Sequence, residues 1–320
     1  MSNSTPFFFI STRGNYYKLK STLDELLRKK IKFYVIVSGI ILDKEYKNLK
    51  KEIFLKYQCL KIKLPNKNFN KKQTIQNINF IGSEASKIYL KFKPKFIFIV
   101  GDRYEAFYIS LIAFFYEIKI VHLEGGEESG TKDNEFRRMI SSMAYIHLTA
   151  TKKSMENLKN KFQFKRVYWT GTPNLDLVKK IYNELEFNRL KIRNSNIKNF
   201  TPYNYCILSL HPDTHNLKKV EYEIEELIKA LIKTNKKVIW ILPNLDEGNK
   251  IIYDISKRYK SSNQFKIFDY FSFEDLSTLI YFSEFLIGNS SMIVRESSFF
   301  KKKTFLIGKR QINRERDINV

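Results

Sequence analysis

The chain has 320 residues with 57 Lys/Arg against 33 Asp/Glu, a formal net charge of +24, and is 43% hydrophobic and 15% aromatic. That apolar content excludes wholesale disorder and the length suits two ordinary domains, while two cysteines, Cys59 and Cys206, are too few for a disulfide framework or a four-cysteine zinc site. The basic balance invites a nucleic-acid reading, but the lysines are spread along the chain among Asn, Ile, Tyr and Phe as in an AT-rich genome, with no finger, basic recognition helix or ribonucleoprotein motif, so no nucleic-acid partner is expected.

The opening MSNSTPFFFISTRGN lacks a basic leader and a long apolar core, and no uncharged apolar run reaches the ~18 residues of a membrane span. The expectation is a soluble cytoplasmic protein without a membrane partner. FFFIST (7 to 12) reads as a strand, NYYKLKSTLDELLRKK (15 to 30) as a helix and KFYVIVSG (32 to 39) as a second strand. Strands follow at KFIFIVGD (95 to 102) and KIVHLEG (119 to 125), with EAFYISLIAFFYE (105 to 117) as the helix between them. NEFRRMISSMA is an amphipathic helix, HLTAT a strand, and RVYWTGTPN (166 to 174) closes the first half. The polar stretch 186 to 204 reads as a connection. YCILSLHP (205 to 212), KVIWILPN (237 to 244), FKIFDY (265 to 270), FLIGNSS (285 to 291) and KTFLIG (303 to 308) repeat the strand theme in the second half. Strands alternating with helices predict α/β domains around parallel sheets, with ligands at the carboxyl ends of the strands.

Polar residues gather at those ends. GDRYEAF (101 to 107) and HLEGGEESGTKDNEFRR (122 to 138) offer three carboxylates, Asp102, Glu124 and Asp133, with Arg103 and Arg137 beside them. Neighbouring carboxylates can hold different pKa values, so that one serves as base and another as acid. Asp133 also suits the first turn of a helix, beside its dipole. GNSSMIVRESSFF (288 to 300) reads as strand, turn and helix, an end that can hold a diphosphate, with Glu296 placed to accept from a ribose diol; helix capping by Asn289 or Ser290 explains the same letters. His211 follows a strand, His215 alone is weak support for a metal, and His122 and His147 sit in apolar strand patterns as packed core residues. No GxGxxG fingerprint and no phosphate loop ending in Lys-Ser/Thr is present, which removes dinucleotide oxidoreductases and ordinary ATPases.

The tracts STRGNYYKL, GDRYEAF, HLEGGEESGTKDNEFRR, GTPNLD, LHPDTH, LPNLDEGNK, IGNSSMIVRE and IGKRQINRE resemble, in order and spacing, the UDP-N-acetylglucosamine 2-epimerases, above all their hydrolysing branch, from about Thr12 to Val320. The resemblance implies a glycosyltransferase-B-type fold of two Rossmann-like domains, residues 1–172 carrying the catalytic carboxylates and 173–320 binding the nucleotide diphosphate in an interdomain cleft. It places Asp102, Glu124 and Asp133 on acid/base positions and His211 on the histidine that faces the diphosphate. Arg13, Arg103, Asn244, Ser290, Ser291, Glu296 and Arg310 fall on nucleotide-binding positions, and Arg137 on the arginine after the third carboxylate. The implied reaction eliminates UDP across sugar carbons 1 and 2 to a glycal, then adds water with inversion at carbon 2, and needs no cofactor and no metal. The expected partner is a nucleotide sugar and the expected assembly a homodimer or homotetramer.

The chain departs from the family pattern at Gly14 and Asn15, at Ile41 where a histidine is expected, at Ile293, and at Lys301 to Lys303 and Asn313, where glycines are expected. It stops at Val320, whereas the family pattern continues through a further strand and helix. A non-hydrolysing epimerase, a retaining glycosyltransferase and an impaired nucleotide-sugar binder are the alternatives.

Overall fold

Strand β1 (Phe7–Ile10) is FFFI, buried at every position, as a strand covered on both faces must be. In the computed structural model, which describes residues 5–66, 70–186, 203–213, 217–243 and 248–320, it is an inner strand of a seven-stranded sheet. The chain then runs through α1 (Arg13–Arg28), β2 (Tyr34–Val37), α2 (Lys47–Lys56), β3 (Cys59–Lys61), α3 (Lys71–Phe92), β4 (Phe96–Val100) and α4 (Tyr104–Phe115). β5 (Lys119–Leu123), α5 (Asp133–Met143), β6 (Ile146–Thr149), α6 (Lys152–Glu156) and β7 (Val167–Trp169) complete the first sheet, whose order is β3-β2-β1-β4-β5-β6-β7 with every pairing parallel.

After α7 (Asn174–Glu186) come β8 (Tyr205–Ser209), α8 (Leu217–Lys233), β9 (Lys237–Ile241), α9 (Asn249–Lys257), β10 (Phe265–Phe268), α10 (Phe273–Phe282), β11 (Phe285–Gly288), α11 (Ser291–Phe299) and β12 (Thr304–Leu306). They build a parallel five-stranded sheet ordered β10-β9-β8-β11-β12. By contacts the chain forms two units, one of residues 1–128 and 132–174, the other of residues 129–131 and 175–320. Each has its own core: Phe7, Phe9, Ile36, Ile97 and Ile99 under α3 and α4 in the first, and Trp240, Leu208, Ile224 and Ile252 in the second. The first sheet reverses its winding between β1 and β4, the second between β8 and β11, and such switch points open a crevice at the strand ends. Among the described residues no helix is long and apolar enough to cross a membrane.

The strands end earlier than the apolar runs suggest. β1 stops at Ile10 because Ser11 and Thr12 turn to cap α1: the Thr12 side chain accepts from the Asn15 amide (3.2 Å), and the Asn15 side-chain oxygen accepts from the Thr12 N–H (3.2 Å). This reciprocal cap starts α1 at Arg13, two residues before the helical period becomes visible. α2, β3 and the 22-residue α3 carried no sequence expectation.

Glycine scarcity leaves a mark at helix ends. α1, α4 and α11 each finish in the doubly bonded left-handed turn that usually takes glycine, here with Lys30 (φ +57°), Glu117 (φ +57°) and Lys301 (φ +52°) in the left-handed slot. The paired closing bonds are present in all three, for α11 from Lys301 N to Ser298 O and Lys302 N to Ser297 O, both 3.0 Å. All three side chains are exposed, so no packing compensates. Lys301→Gly should therefore raise unfolding stability by about 0.5–1 kcal/mol, the left-handed penalty less the entropy glycine adds to the unfolded chain. Urea unfolding checks this with Lys301→Ala as control; equal stability of the two variants would refute it.

Candidate active site

The first unit assembles its polar groups on three adjacent connections. Register pairs Val100 of β4 with Leu123 of β5, so Asp102 and Glu124 leave neighbouring strand ends, and the Gly101 N–H continues the ladder to the Leu123 carbonyl (3.1 Å). Glu124 is 3% exposed and takes a left-handed backbone (φ +61°), a conformation costly for any side chain with a Cβ and common where a functional group must be aimed. Its carboxylate forms an ion pair with Lys18 of α1 and accepts from the Thr172 hydroxyl at 2.7 Å. Asp102 forms an ion pair with Arg137, which is 2% exposed and also donates to the Glu127 carbonyl and the Asn134 side-chain oxygen, both at 2.9 Å. Since Arg137 and Asn134 lie on the first two turns of α5, this pair ties the β4 end to the helix start that carries Asp133.

Asp133 is the first residue of α5, half-buried in the acidic first turn that complements the helix dipole. Arg103 directs its Nε to Glu105 at 3.1 Å, a fully buried carboxylate in the first turn of α4. Arg13 is the first residue of α1, half-buried at the β1 strand end. Asn15, one of the departures from the resembled pattern, donates its side-chain amide to the Val100 carbonyl at 3.3 Å, a bond that a carboxylate cannot make.

The second unit does the same around β8 and β11. Gly288 must be glycine, since a Cβ there would lie 2.0 Å from the Ser209 carbonyl on the neighbouring strand. Asn289 then bonds the backbone of His211 twice, accepting from its N–H (2.7 Å) and donating to its carbonyl (2.9 Å). The amide side chain thus replaces a strand neighbour and holds His211 just beyond the carboxyl end of β8, the central strand. Its own carbonyl accepts from the buried Gln311 amide at 2.8 Å. Asn289 is therefore not a helix cap. Ser290 occupies the capping position of α11 without a side-chain cap bond among the described residues, and Ser291 opens the helix. Glu296 is half-buried on the same helix, and Arg310 lies beside Gln311, its carbonyl accepting from the Gly130 N–H at 3.2 Å. Asn244 and His215 lie outside the described residues.

Three contributors carried no sequence expectation, Lys18, Thr172 and Glu105, and Asn289, expected at a strand end or as a helix cap, is instead a clamp on His211. Lys18 and Thr172 fall inside quoted tracts, STRGNYYKL and GTPNLD, but nothing local distinguishes a solvated lysine from one that meets a buried carboxylate 106 positions away.

His122 and His147 face each other across β5 and β6 and are core residues, as their apolar strands imply. His147 stacks on Phe164 (4.6 Å between centroids), and its Nδ1 has no hydrogen-bond partner among the described residues. Burial pushes both rings down to about 4. A free histidine near 6.5 protonates first in the unfolded chain, so their contribution is complete above pH 6.5 and lost as pH falls toward 4. His147→Leu should flatten the rise of unfolding free energy between pH 4 and 6.5 by up to about 1.4 kcal/mol per pH unit. Denaturant titrations across that window test it, and an unaltered slope would show that His147 protonates without cost.

The family profile described as UDP-N-acetylglucosamine 2-epimerase matches residues 24–320. The chain is 29% identical to a GDP/UDP-N,N'-diacetylbacillosamine 2-epimerase (hydrolysing) of Campylobacter jejuni, over 97% of this chain and 82% of that one. It is 26% identical to a UDP-N,N'-diacetylbacillosamine 2-epimerase (hydrolysing) of Legionella pneumophila, over 98% and 83%. In structure it is similar to the Neisseria meningitidis UDP-GlcNAc 2-epimerase, crystallised with UDP-GlcNAc, with a TM-score of 0.79 at 18% identity over 96% of this chain and 83% of that one. The Methanocaldococcus jannaschii enzyme with UDP-GlcNAc and UDP gives 0.78 at 17%, over 98% and 94%. The two parallel sheets share the fold of these structures, and on the profile match over residues 24–320 the chain belongs to the UDP-N-acetylglucosamine 2-epimerase family.

Proposed function

We propose that this protein is a hydrolysing 2-epimerase that takes a UDP- or GDP-linked 2-acetamido or 2,4-diacetamido sugar and releases the free sugar epimerised at carbon 2. The observation that carries the reading is Glu124: a carboxylate 3% exposed, on a left-handed backbone, paired with Lys18 and bonded by Thr172, on the strand end next to Asp102. Burying and aiming a charge in this way has a structural cost and serves proton transfer. The hydrolysing names of the two relatives that match along nearly the whole chain support the water-adding outcome.

In the proposed sequence a carboxylate removes the carbon-2 proton, the bond from carbon 1 to the diphosphate oxygen breaks, and the nucleotide diphosphate departs to leave a carbon 1–carbon 2 double bond. Water then gives its hydroxyl to carbon 1 while carbon 2 is reprotonated from the opposite face. Asp102, Glu124 and Asp133 are the proposed acid and base groups. Arg13, Arg103, Ser290, Ser291, Glu296 and Arg310 are proposed for the nucleotide, with His211 beside the leaving diphosphate, where positive and N–H groups stabilise developing charge. Arg137, bonded to Asp102, orients that carboxylate.

Incubation with UDP-GlcNAc and with UDP- and GDP-linked diacetamido sugars in D2O, followed by NMR, is the test. Free nucleotide diphosphate together with a carbon-2-deuterated, epimerised free sugar is expected. Deuteration without nucleotide release would identify a non-hydrolysing epimerase, and neither event would exclude both. Asp102→Asn, Glu124→Gln and Asp133→Asn should each lower turnover by ~100-fold or more with little change in nucleotide affinity. Rates near wild type in any two of them would remove the assignment. Ser291→Ala should weaken UDP binding by ~1 kcal/mol or more, and unchanged calorimetric affinity would reduce the GNSS turn to a helix start.

A further inference from the structure

His122 makes two bonds that link the carboxylate-bearing elements. Its ring is fully buried, with Nε2 2.8 Å from the Gly101 carbonyl oxygen and Nδ1 3.0 Å from the Ser141 hydroxyl. A carbonyl only accepts, so Nε2 carries the proton and Nδ1 accepts from Ser141. Gly101 directly precedes Asp102, and Ser141 lies one helical turn beyond Arg137 on α5. The contacts therefore close a circuit: from the Gly101 carbonyl to His122, on to Ser141, along α5 to Arg137, and back through the ion pair to Asp102. Gly125 leaves room for it, since a Cβ there would come within 2.9 Å of both His122 Nδ1 and Ser141 Oγ.

We propose that His122 is a positioning residue for the Asp102 carboxylate: by tying the Gly101 carbonyl to α5 it fixes Asp102 relative to Arg137. A packed apolar ring would fill the same space but leave a carbonyl and a hydroxyl unmatched in the core, free to turn the peptide that leads into Asp102. Burial keeps the ring neutral in a single tautomer, with His147 and Arg137 also opposing a second proton. The inference rests on the reading of Asp102 as a reacting group and adds how that group is held.

The test compares wild type with His122→Gln, whose amide nitrogen reaches the Nε2 position, and His122→Asn, whose amide does not. With the nucleotide sugar that wild type turns over, His122→Asn should lower kcat by roughly 10- to 100-fold, the scale of a misplacement of up to about 1 Å. Its KM should stay within about threefold, and His122→Gln should recover most of the rate. The Asp102 carboxylate 13C signal should move in the Asn variant and return in the Gln variant, and 15N NMR of the wild type should show the Nε2-protonated ring. A wild-type ring protonated at Nδ1 would overturn the proposal, as would equal kcat in folded Gln and Asn variants with an unmoved Asp102 signal. Should neither histidine variant fold, Ser141→Ala decides: an unchanged kcat and an unchanged Asp102 signal would refute the circuit. A wild type that turns over no nucleotide sugar would remove the epimerase reading alone, since the tautomer and the Asp102 signal need no turnover.

Discussion

A guanidinium only 2% exposed, that of Arg137, anchors the first unit. A buried charge is tolerated only when its donors are matched, and this one is matched by the Asp102 carboxylate, the Glu127 carbonyl and the Asn134 side chain. These partners come from the end of β4, the loop after β5 and the first turn of α5. Moving any of the three would strand a charge in the core, so the path of the loop is dictated by the arginine rather than by loop propensity. The ion pair thus does for the carboxylate array what apolar packing does for the sheet.

The second unit joins the ends of β8 and β11 through side-chain amides. Asn289 lends an amide to the backbone of His211, and Gln311 in turn bonds Asn289. A neutral clamp leaves no carboxylate at this strand end to repel the anion it is proposed to receive. The two switch points thus fix a strand end by different means, an ion pair in the first unit and side-chain amides in the second.

The parallel α/β class was legible because strands buried on both faces leave uninterrupted runs such as FFFI and YCILS, and the strand-end polar residues stood out against them. Boundaries were legible only in part. Ser11 and Thr12 continue the β-branched and small-residue texture of the strand but are taken by the α1 cap, and Arg13 joins a helix whose apolar period begins later. The residues that hold the candidate site were the least visible, because their roles are long-range: Lys18 meets Glu124, Thr172 meets the same carboxylate, and Asn289 meets His211. Arg103 shows the converse. Its neighbour Glu105 is two residues away, yet only burial reveals that the pair is internal.

Glycine is scarce in this chain, 11 of 320 residues, and its scarcity shows unevenly in the fold. At the exposed ends of α1, α4 and α11 the left-handed slot is held by Lys30, Glu117 and Lys301, where the cost is a fraction of the stability. At Gly125 and Gly288 no side chain fits, because it would strike His122 and Ser141 in the one case and the Ser209 carbonyl in the other. A side chain is thus accommodated in the left-handed slot at the exposed helix ends and excluded at these two glycines, which flank the carboxylate loop and the GNSS turn.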